Sequence, residues 1–392
     1  MSLPHRGNGT LEIDQAAQII FDEYLQMGLT PRISEFKTGE ISWFKESTAI
    51  IFVLLALGSG FMGAFLLSVI LFILGVSLFP EFPYHWKKFI LLVGSCREKD
   101  VFAQVLPKNR PYKKTIVIFG HYDTPKECRG LSLLKVFVHT KLGNRMATDS
   151  RHMLPFLRSP LFLLNVATVL VVPSLLIREL SVFHIIAVAF SVPVLVLYLY
   201  QFLETAMASA VPGAFDNGTG AATVLSLADY FSKNPLENTR IIFLNNAAEE
   251  GYIDGFDEFL KMANIDKETT AFINLESIGA KYLCEGYGEA SSFLGLAYYY
   301  DSRLATLVKK HVDNNSAAFP VKEYFVPLSG DGMVLLSKKC RMATTLMSVN
   351  KGGFVDQYHQ MDDTMDKIHF ETLVKCRDFV AALVKELDKE NF

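Results

Sequence analysis

The chain has 392 residues, of which 50% are hydrophobic and 20% are charged. A soluble globular protein carries about a quarter charged residues, so this composition is unusually apolar. The net charge of -3 gives no support for nucleic-acid binding, and the composition excludes disordered, collagen-like and disulfide-scaffold proteins. The five cysteines are widely spaced and form no CxxC pair, which argues against a disulfide framework and against a cysteine zinc site.

The first predicted element is a helix. Apolar residues recur at helical spacing over Ala16–Met27, and this segment leads into Gly28. We predict that residues 1–46 supply this N-terminal helix and a lead-in to a folded domain. The first 14 residues lack the apolar core of a signal peptide.

An uncharged apolar block covers residues 47–80. One helix through this block would be about 50 Å long, whereas the hydrocarbon core of a bilayer is about 30 Å thick. The Gly-Ser-Gly sequence at 58–60 offers a break near its middle. The sequence favours a first transmembrane hairpin, with helices over roughly 47–61 and 63–80, over one long tilted helix.

A second apolar block covers residues 159–203. Ser159–Ile177 and Leu180–Leu203 are both uncharged, and the polar pair Arg178–Glu179 separates them. Each run has the length that spans a bilayer, so we predict a second transmembrane hairpin here. The alternative, a pair of very hydrophobic core helices, fits poorly because core helices rarely run this long without a charge.

Basic residues set the expected orientation of this membrane protein. The segment before the second hairpin is rich in them, whereas the opposite loops hold almost only Arg178. The positive-inside rule then predicts a multi-pass integral membrane protein, with four helices favoured and the folded part in the cytoplasm. Leu131–Phe156 is either a segment along the membrane surface or a basic linker. The basic residues are Lys126, Arg129, Lys135, Lys141, Arg145, Arg151 and Arg158.

The remaining parts, residues 81–158 and 204–392, alternate between strands and helices. Short β-branched runs predict four buried strands, and amphipathic stretches predict helices over Gly220–Phe231 and Thr372–Leu387. Alternating strands and helices indicate an α/β fold, a three-layer sandwich around a mostly parallel mixed sheet. The predicted strands are Thr115–Gly120, Thr239–Leu244, Ala271–Leu275 and Thr344–Ser348.

Side chains with metal-binding or acid–base chemistry follow the strands at their carboxyl ends, where open α/β sheets bind ligands. A histidine and an aspartate follow the first strand, two adjacent glutamates the second, and one glutamate the third. A glycine-rich turn before a helix carries an aspartate, and a Tyr-His pair precedes the last helix. These candidate site residues are His121, Asp123, Asp216, Glu249, Glu250, Glu276, Tyr358 and His359.

Two imidazoles with several carboxylates and no cysteine are the ligand chemistry of zinc in hydrolytic sites. A carboxylate left over beside a pair of metals is what a general base requires. Each element alone is weak, since an HxD sequence, an EE pair and a DNG turn are usually structural or solvated. Their joint occurrence at successive strand ends favours a metal-dependent hydrolytic site.

The order of the motifs carries a resemblance to a known family. In chain order they read HYDT, GAFDNGTGAA, EEGYIDG, INLESIG and YHQMDDT. This series resembles the co-catalytic di-zinc metallopeptidase family that includes aminopeptidase Y, bacterial leucyl aminopeptidase and glutamate carboxypeptidase. The resemblance covers residues 100–124 and 205–385 with the opening helix. It implies a zinc aminopeptidase-like fold, here in a membrane-embedded variant with two inserted hairpins.

The resemblance also implies a ligand set for two zinc ions. His121 and Glu276 would bind one ion, Glu250 and His359 would bind the other, and Asp216 would bridge them. Glu276 departs from the family pattern, because most soluble members have an aspartate there. A glutamate still binds zinc but is one methylene longer, so the first metal site would be reshaped.

Three further residues receive roles from the resemblance. Asp123 would hold the imidazole of His121 in the correct tautomer. Glu249 would be the general base, and extended backbone at the strand end would let it and Glu250 point in different directions. Tyr358 would steady the tetrahedral intermediate. The segment LSGDGMVLL resembles the substrate-side loop of the family only loosely, so it transfers no substrate contact.

The function that follows is a membrane-bound, zinc-dependent exopeptidase or amidase. We expect an aminopeptidase that acts on peptides or on membrane-associated substrates, with the lipid bilayer as its surroundings. Hydrolysis of an N-acyl amino acid or lipid amide by the same chemistry is an alternative. A glutaminyl-cyclase-like transferase, which uses a single zinc, and a non-catalytic binding or scaffold relative are further alternatives.

Overall fold

The computed structural model describes the folded part of the chain and short pieces of the rest. The described residues are 3–39, 51–52, 55–56, 59, 65–77, 95–128, 196, 200, 203–204, 207–290, 297–300, 302–314, 322–326, 330–340, 342–350 and 357–390. Within these ranges, strands and helices alternate and form one mixed sheet with helices on both faces. The predicted α/β class is confirmed.

Nine strands of the described residues form the sheet, in the order β1-β2-β4-β3-β5-β9-β6-β7 with β8 beside β6. The central strands β4, β3, β5 and β9 pair in parallel, whereas β1, β2 and β4 on one side and β9, β6 and β7 on the other pair antiparallel. The sheet is therefore mixed, with a parallel centre. The strands are β1 (Arg32–Gly39), β2 (Ser95–Val105), β3 (Lys114–His121), β4 (Thr239–Asn246), β5 (Thr270–Glu276), β6 (Tyr282–Ala290), β7 (Ala297–Tyr299), β8 (Lys322–Val326) and β9 (Met342–Val349).

Helices cover both faces of the sheet. Residues of α1, α3 and α8 share one buried apolar cluster, and residues of α5 and α7 share another. This arrangement is the three-layer sandwich that the alternation of elements predicts. The described helices are α1 (Leu11–Gln26), α2 (Phe65–Ser77), α3 (Thr219–Lys233), α4 (Glu249–Tyr252), α5 (Asp254–Ala263), α6 (Ser302–Asn314), α7 (Asp331–Ser337) and α8 (Phe370–Leu387).

The position of strand β3 between the two helical layers explains why its sequence is continuously apolar. Ile116 and Ile118 belong to the cluster on one face, while Val117 and Phe119 belong to the cluster on the other. The Phe119 ring stacks on Phe256 of α5 with their centroids 3.9 Å apart. A parallel strand covered on both faces buries every side chain, so its sequence shows no alternation.

Helix α1 begins five residues before its predicted start. Thr10 is the N-cap, and its side chain accepts a hydrogen bond from the Ile13 amide at 3.4 Å. Gly28 has a φ of +76°, a conformation that glycine tolerates and that ends the helical segment. The sequence pattern missed the first turn because the cap, rather than apolar periodicity, defines it.

The predicted transmembrane hairpins lie largely outside the described residues. Of the first hairpin, the structure describes a few positions and the 13-residue helix α2; of the second, it describes residues 196, 200 and 203. The segment 131–156 lies wholly outside. Among the residues that the structure describes, no helix is both long enough and apolar enough to cross a membrane. The two hairpins, the four crossings and the cytoplasmic orientation stay predictions.

Candidate metal centre

The parallel centre of the sheet brings the first two candidate ligands together. His121 ends β3 and Glu276 ends β5, and these neighbouring strands run in the same direction. The His121 Nε2 atom lies 3.4 Å from Glu276 Oε1 and 3.5 Å from Asp216 Oδ1. The carboxyl edge of the sheet therefore holds one imidazole and two carboxylates within ligand distance of a shared point.

The second half of the centre is built from later parts of the chain. His359 Nε2 lies 3.3 Å from Asp216 Oδ2 and 3.4 Å from Glu250 Oε2. Asp216 thus presents one carboxylate oxygen to His121 and the other to His359. Although burial alone would raise the pKa of Asp216, the two imidazoles hold that pKa below its ordinary value. A carboxylate shared between two imidazoles has the geometry of a bridging ligand.

Asp363 fixes the backbone of the turn that carries Asp216. Its carboxylate accepts the Phe215 amide at 2.6 Å and the Asp216 amide at 3.0 Å. The Ala214 amide also donates to the Asp363 carbonyl at 3.1 Å. Burial raises the pKa of Asp363 to about 7, and the two amide bonds partly oppose that rise. In the sequence, Asp363 belongs to the YHQMDDT motif, but the sequence alone assigns it no role.

Asn217, the next residue along the turn, joins it to the end of β5. Its side-chain amide donates to the Leu275 carbonyl at 2.9 Å, and its Oδ1 accepts the Gly220 and Ser277 amides, both at 2.9 Å. A side chain at Gly220 would lie 2.3 Å from both Asn217 Oδ1 and the Leu275 carbonyl, so only glycine fits there. The DNG sequence is therefore more than a turn signal: it sets Asp216 against Glu276.

Asp123 supports both halves of the centre. Its Oδ1 lies 3.3 Å from His121 Nδ1, which suits a partner that orients the imidazole. The same carboxylate accepts the Glu249 amide at 3.2 Å and the Glu250 amide at 3.0 Å. A buried carboxylate at a helix N-terminus satisfies amides that have no partner within the helix. One side chain thus couples the position of His121 to that of the two glutamates.

The extended backbone predicted for Glu249 and Glu250 is wrong. Both residues lie in the first turn of the short helix α4, which follows Ala248 in a left-handed conformation. Their side chains diverge because successive helical residues are rotated by about 100°. Glu250 reaches His359, whereas Glu249 Oε2 is 3.9 Å from His121 Nε2 and has no such close approach to an imidazole.

Burial and the surrounding acids determine the charge balance of the centre. Desolvation raises the pKa of Glu249 and of Glu250 well above the ordinary value. Burial alone would lower the pKa of His121, but Glu276 and Glu249 outweigh it and raise that pKa well above the ordinary value. Ionising these buried carboxylates is costly without a nearby positive charge, and a divalent cation bound among them would stabilise their charged forms.

Tyr358 packs directly on the second imidazole. Its ring stacks on that of His359, with centroids 4.0 Å apart and planes inclined by 25°. The tyrosine also packs against a small buried cluster of Phe215, Ala280 and Ile368. Burial, reinforced by the nearby carboxylates, raises the pKa of Tyr358 well above the ordinary value, so its phenol stays protonated and can donate a hydrogen bond.

Arg6 is a supporting residue that sequence reasoning missed. Its guanidinium donates to the carbonyls of Tyr122 at 2.5 Å, Pro212 at 2.9 Å and Gly213 at 2.6 Å. The Arg6 backbone also exchanges hydrogen bonds with Thr124. The N-terminal segment therefore ties the loop after β3 to the turn before Asp216. No periodicity or motif announces such a residue, because its partners are backbone carbonyls far away in the sequence.

The donor set fits zinc. Buried Asp216 Oδ2 and His359 Nε2 have no hydrogen-bond partner, although each lies within 3.5 Å of an opposing ligand atom. Ligand atoms of His121, Asp216 and Glu250 all lie within 4.8 Å of one another. Buried polar atoms without partners are costly, and imidazole nitrogens with carboxylate oxygens are ordinary zinc ligands. The described residues therefore include a group that could hold a metal ion.

Comparison with known families supports this interpretation. Residues 200–384 match the profile of peptidase family M28. That range carries four of the five candidate ligands, while His121 lies before it. The region 200–384 is thus similar to peptidase family M28, and the chain has the fold of the zinc aminopeptidases.

Curated relatives match over short segments. The vacuolar membrane protease of Schizosaccharomyces pombe is 37% identical over 87 residues, which cover 22% of this chain and 10% of that protein. The vacuolar membrane protease of Laccaria bicolor is 40% identical over 74 residues, 18% of this chain and 7% of that protein. The chain thus spans only about a tenth or less of the length of these relatives.

Solved structures share the fold across nearly the whole chain. The aminopeptidase from Aneurinibacillus sp. strain AM-1 has a TM-score of 0.54 at 12% identity, covering 98% of this chain and 90% of its own. BSAP, a zinc aminopeptidase from Bacillus subtilis, has a TM-score of 0.53 at 11% identity, covering 99% and 92%. Glutaminyl cyclase from Porphyromonas gingivalis has a TM-score of 0.52 at 11% identity, covering 98% and 93%. At these identities the likeness shows the fold alone.

Proposed function

We propose that this chain is a membrane-bound, zinc-dependent exopeptidase or amidase that hydrolyses an amide bond. Two zinc ions would occupy the centre. His121 and Glu276 would hold the first ion, Glu250 and His359 the second, and Asp216 would bridge them. The observation that carries the proposal is the carboxylate of Asp216, which offers one oxygen to each imidazole.

Glu249 is the residue we assign as general base. When bound, the ions supply a water of lowered pKa and a polarised scissile carbonyl. Glu249 accepts a proton as the water oxygen adds to the carbonyl carbon, and it delivers that proton to the amine as the carbon–nitrogen bond breaks. Its Oε2 atom stays 3.9 Å from His121 Nε2, whereas the candidate ligand oxygens lie 3.3–3.5 Å from their imidazoles, which suits a group that moves protons rather than one that binds metal.

Two neighbours assist this chemistry in the proposal. Asp123 Oδ1 lies 3.3 Å from His121 Nδ1, where it would accept the Nδ1 proton and leave Nε2 free to bind an ion. Tyr358, protonated and stacked on His359, donates to the oxygen on which negative charge develops. Both residues act through atoms that the folded chain already orients.

The substrate we favour is a peptide with a free N-terminus, either in solution or associated with a membrane. The aminopeptidases that share the fold support a substrate with a free N-terminus. The apolar blocks at 47–80 and 159–203, together with the membrane proteases among the relatives, support placement in a lipid bilayer. An N-acyl amino acid or lipid amide is the alternative substrate class for the same centre.

A direct test uses the full chain purified in detergent. Its zinc content is measured, and hydrolysis of aminoacyl amides is compared with that of acyl-amino-acid amides. We expect two zinc ions per chain and turnover of at least one class. Glu249→Gln should retain both ions while kcat falls by about 10³-fold or more. Zinc-loaded protein that hydrolyses neither class would overturn the proposal.

The glutaminyl-cyclase-like alternative is kept because a cyclase shares the fold. It predicts one zinc ion per chain and cyclisation of N-terminal glutamine, in place of hydrolysis. A non-catalytic scaffold predicts that Glu249→Gln leaves the cellular phenotype unchanged. The complete set of two imidazoles and three carboxylates around one point favours the two-ion hydrolase over both.

A further inference from the structure

A second buried acid lies beside the candidate centre without a role in it. Glu289, near the end of β6, is 1% exposed. Its Oε1 accepts the Tyr300 hydroxyl at 2.5 Å and the Thr345 hydroxyl at 3.5 Å, and its Oε2 accepts the Gly330 amide at 3.3 Å. Tyr300 and Thr345 are also hydrogen-bonded to each other at 2.7 Å. This group of four residues is called the Glu289 cluster below.

The segment that the cluster holds lies against the proposed base. A methyl group added at Gly330 would lie 3.2 Å from Glu249 Oε1. Two residues later, a methyl group at Gly332 would overlap Glu289 Oε1 at 1.8 Å and the Tyr300 hydroxyl at 1.9 Å. The backbone at 330–332 therefore packs closely between the cluster and the base, with no side chain filling the gap.

The same segment is anchored from its other side. Asp331 Oδ2 accepts the Asn246 side-chain amide at 2.6 Å. Asn246 ends β4, three residues before Glu249. The start of α7 is thus held at two points, by Glu289 through Gly330 and by the strand that leads into the base.

We propose that Glu289 is a positioning residue for Glu249. By accepting the Gly330 amide, it fixes the segment 330–332 against the base and so holds the Glu249 carboxylate in the orientation that proton transfer requires. The inference rests on the proposed function, since it assigns a partner to the proposed base. Glu289 contacts no candidate ligand in the described residues, so it acts only through this backbone segment.

The physical reason lies in the donors that meet at Glu289. The Tyr300 hydroxyl donates to one carboxylate oxygen and the Gly330 amide donates to the other, while the Thr345 hydroxyl can donate to the Tyr300 oxygen at 2.7 Å or to Glu289 Oε1 at 3.5 Å. A carboxamide at this position would keep one acceptor oxygen but would present its own N–H groups to donors. The Tyr300 hydroxyl could reverse and accept from an N–H group, but the Gly330 amide could not, so a carboxamide that turns its N–H group toward Gly330 would leave the segment beside Glu249 free to shift.

The test compares Glu289→Gln with the parent, using the full zinc-loaded chain in detergent. A base displaced by a fraction of an ångström loses much of its efficiency, so we expect kcat to fall about 10- to 100-fold. KM should change less than about 2-fold, because the substitution acts on the position of the base and not on groups that bind the substrate. The pH profile of kcat should shift on the limb that reports the base, while zinc content stays at the parental value.

Glu285→Gln is the matched control. Glu285 lies on the same strand and is also buried, but it bonds Thr344, and the bulge between Gly286 and Gly288 changes the register before Glu289. It should leave kcat and its pH profile within about 2-fold of the parent. Tyr300→Phe, which removes one donor but keeps the ring, should give a smaller fall in kcat than Glu289→Gln, and it carries the test if the latter does not fold.

The outcomes separate the two proposals. A zinc-loaded parent without amidase activity would defeat the proposed function, whatever the Glu289 variants show. An active parent whose kcat and pH profile are matched by folded Glu289→Gln and Tyr300→Phe would overturn the positioning role alone. A loss of thermal stability with unchanged kcat would also overturn it, because Glu289 would then serve only the fold.

Discussion

The ligand side of the candidate centre and the layer behind it satisfy their polar atoms in different ways. On the ligand side, Asp216 Oδ2 and His359 Nε2 are buried without hydrogen-bond partners. Behind them, Asp363, Asn217 and Asp123 are bonded to backbone amides at 2.6–3.2 Å. These bonds to backbone amides involve no ion, so this part of the centre is preorganised, whereas the unpartnered Asp216 Oδ2 and His359 Nε2 call for a cation.

Asp216→Asn should have the largest effect, because it alters the one side chain that faces both imidazoles. An amide nitrogen would replace one carboxylate oxygen and cannot bind zinc. We expect loss of at least one ion per chain and a fall in kcat of about 10³-fold or more. Zinc content and amide hydrolysis are measured on the same preparation.

Asp229→Asn is the control for that substitution. Asp229 lies on α3 with its side chain 44% exposed and forms an ion pair with Lys233 on the same helix. It should behave as the parent in both measurements. If Asp216→Asn kept two ions and parental turnover, the bridging role of Asp216 would be refuted.

Asp123→Asn should have the second-largest effect, since it removes a charge from the layer behind the candidate ligands. An asparagine keeps one acceptor oxygen, which can replace either Oδ1, facing His121 Nδ1 and the Glu249 amide, or Oδ2, which accepts the Glu250 amide. Partners of this kind usually contribute 10- to 100-fold in metal affinity or activity, and we expect a loss in about that range. Competition with a zinc-selective chelator measures the affinity. Unchanged affinity and unchanged kcat would show that Asp123 serves only as a helix cap.

Substitution of Arg6 should change the zinc content less than the two preceding substitutions do. Its main effect should be on the stability of the fold. Arg6→Ala leaves three carbonyls without a strong donor, which should lower the free energy of unfolding by about 2 kcal/mol. Arg6→Lys should recover part of this, because an ammonium reaches fewer of the three carbonyls than a planar guanidinium. Thermal unfolding of the zinc-free chain is the measurement, with exposed Arg32→Ala as the control. Equal melting temperatures for all four proteins would contradict the role of Arg6.

The sequence predicted the ligand side better than the layer behind it. His121, Glu250 and Glu276 follow apolar strands, and strand ends are where ligands bind in such sheets, so a pattern points to them. Arg6 and Asn217 have no comparable signal, since their partners are backbone groups set by tertiary folding. The extended backbone predicted for Glu249 is wrong for the same reason. Glu249 lies in the first turn of α4, and the amides of that turn donate to Asp123, which belongs to a distant segment of the chain.

The antiparallel part of the sheet was missed for a different reason. Strand β2 reads as a charged segment, yet Glu98 and Asp100 are 2% and 0% exposed. Glu98 accepts the Gly9 amide at 2.7 Å, and Asp100 accepts the Ala247 amide at 3.0 Å. Hydrophobic periodicity cannot recognise a strand whose inward side chains are acids satisfied by distant amides. The four central strands β3, β4, β5 and β9 contain continuous runs of apolar and β-branched residues, and these runs predict them.

The smallest effect on zinc content and turnover should come from an acid outside both layers, whose substitution alters the pH dependence of stability. Burial raises the pKa of Glu285 from its ordinary value of 4.5 to about 8. Between these values the folded chain keeps a proton that the unfolded chain releases, so this residue lowers stability progressively as pH rises, by a total on the order of 5 kcal/mol. Below pH 4.5 both states are protonated and the contribution vanishes.

Glu285→Gln removes the ionisable group and should therefore flatten the pH dependence of the melting temperature. Relative to the parent, the variant should gain melting temperature between pH 5 and pH 8 and match it at the acid end, with about the same zinc content throughout. Parallel melting curves across this interval would mean that Glu285 ionises as readily in the folded chain as in the unfolded one. Such a result would also place water beside β6, at a position that the described structure shows as buried.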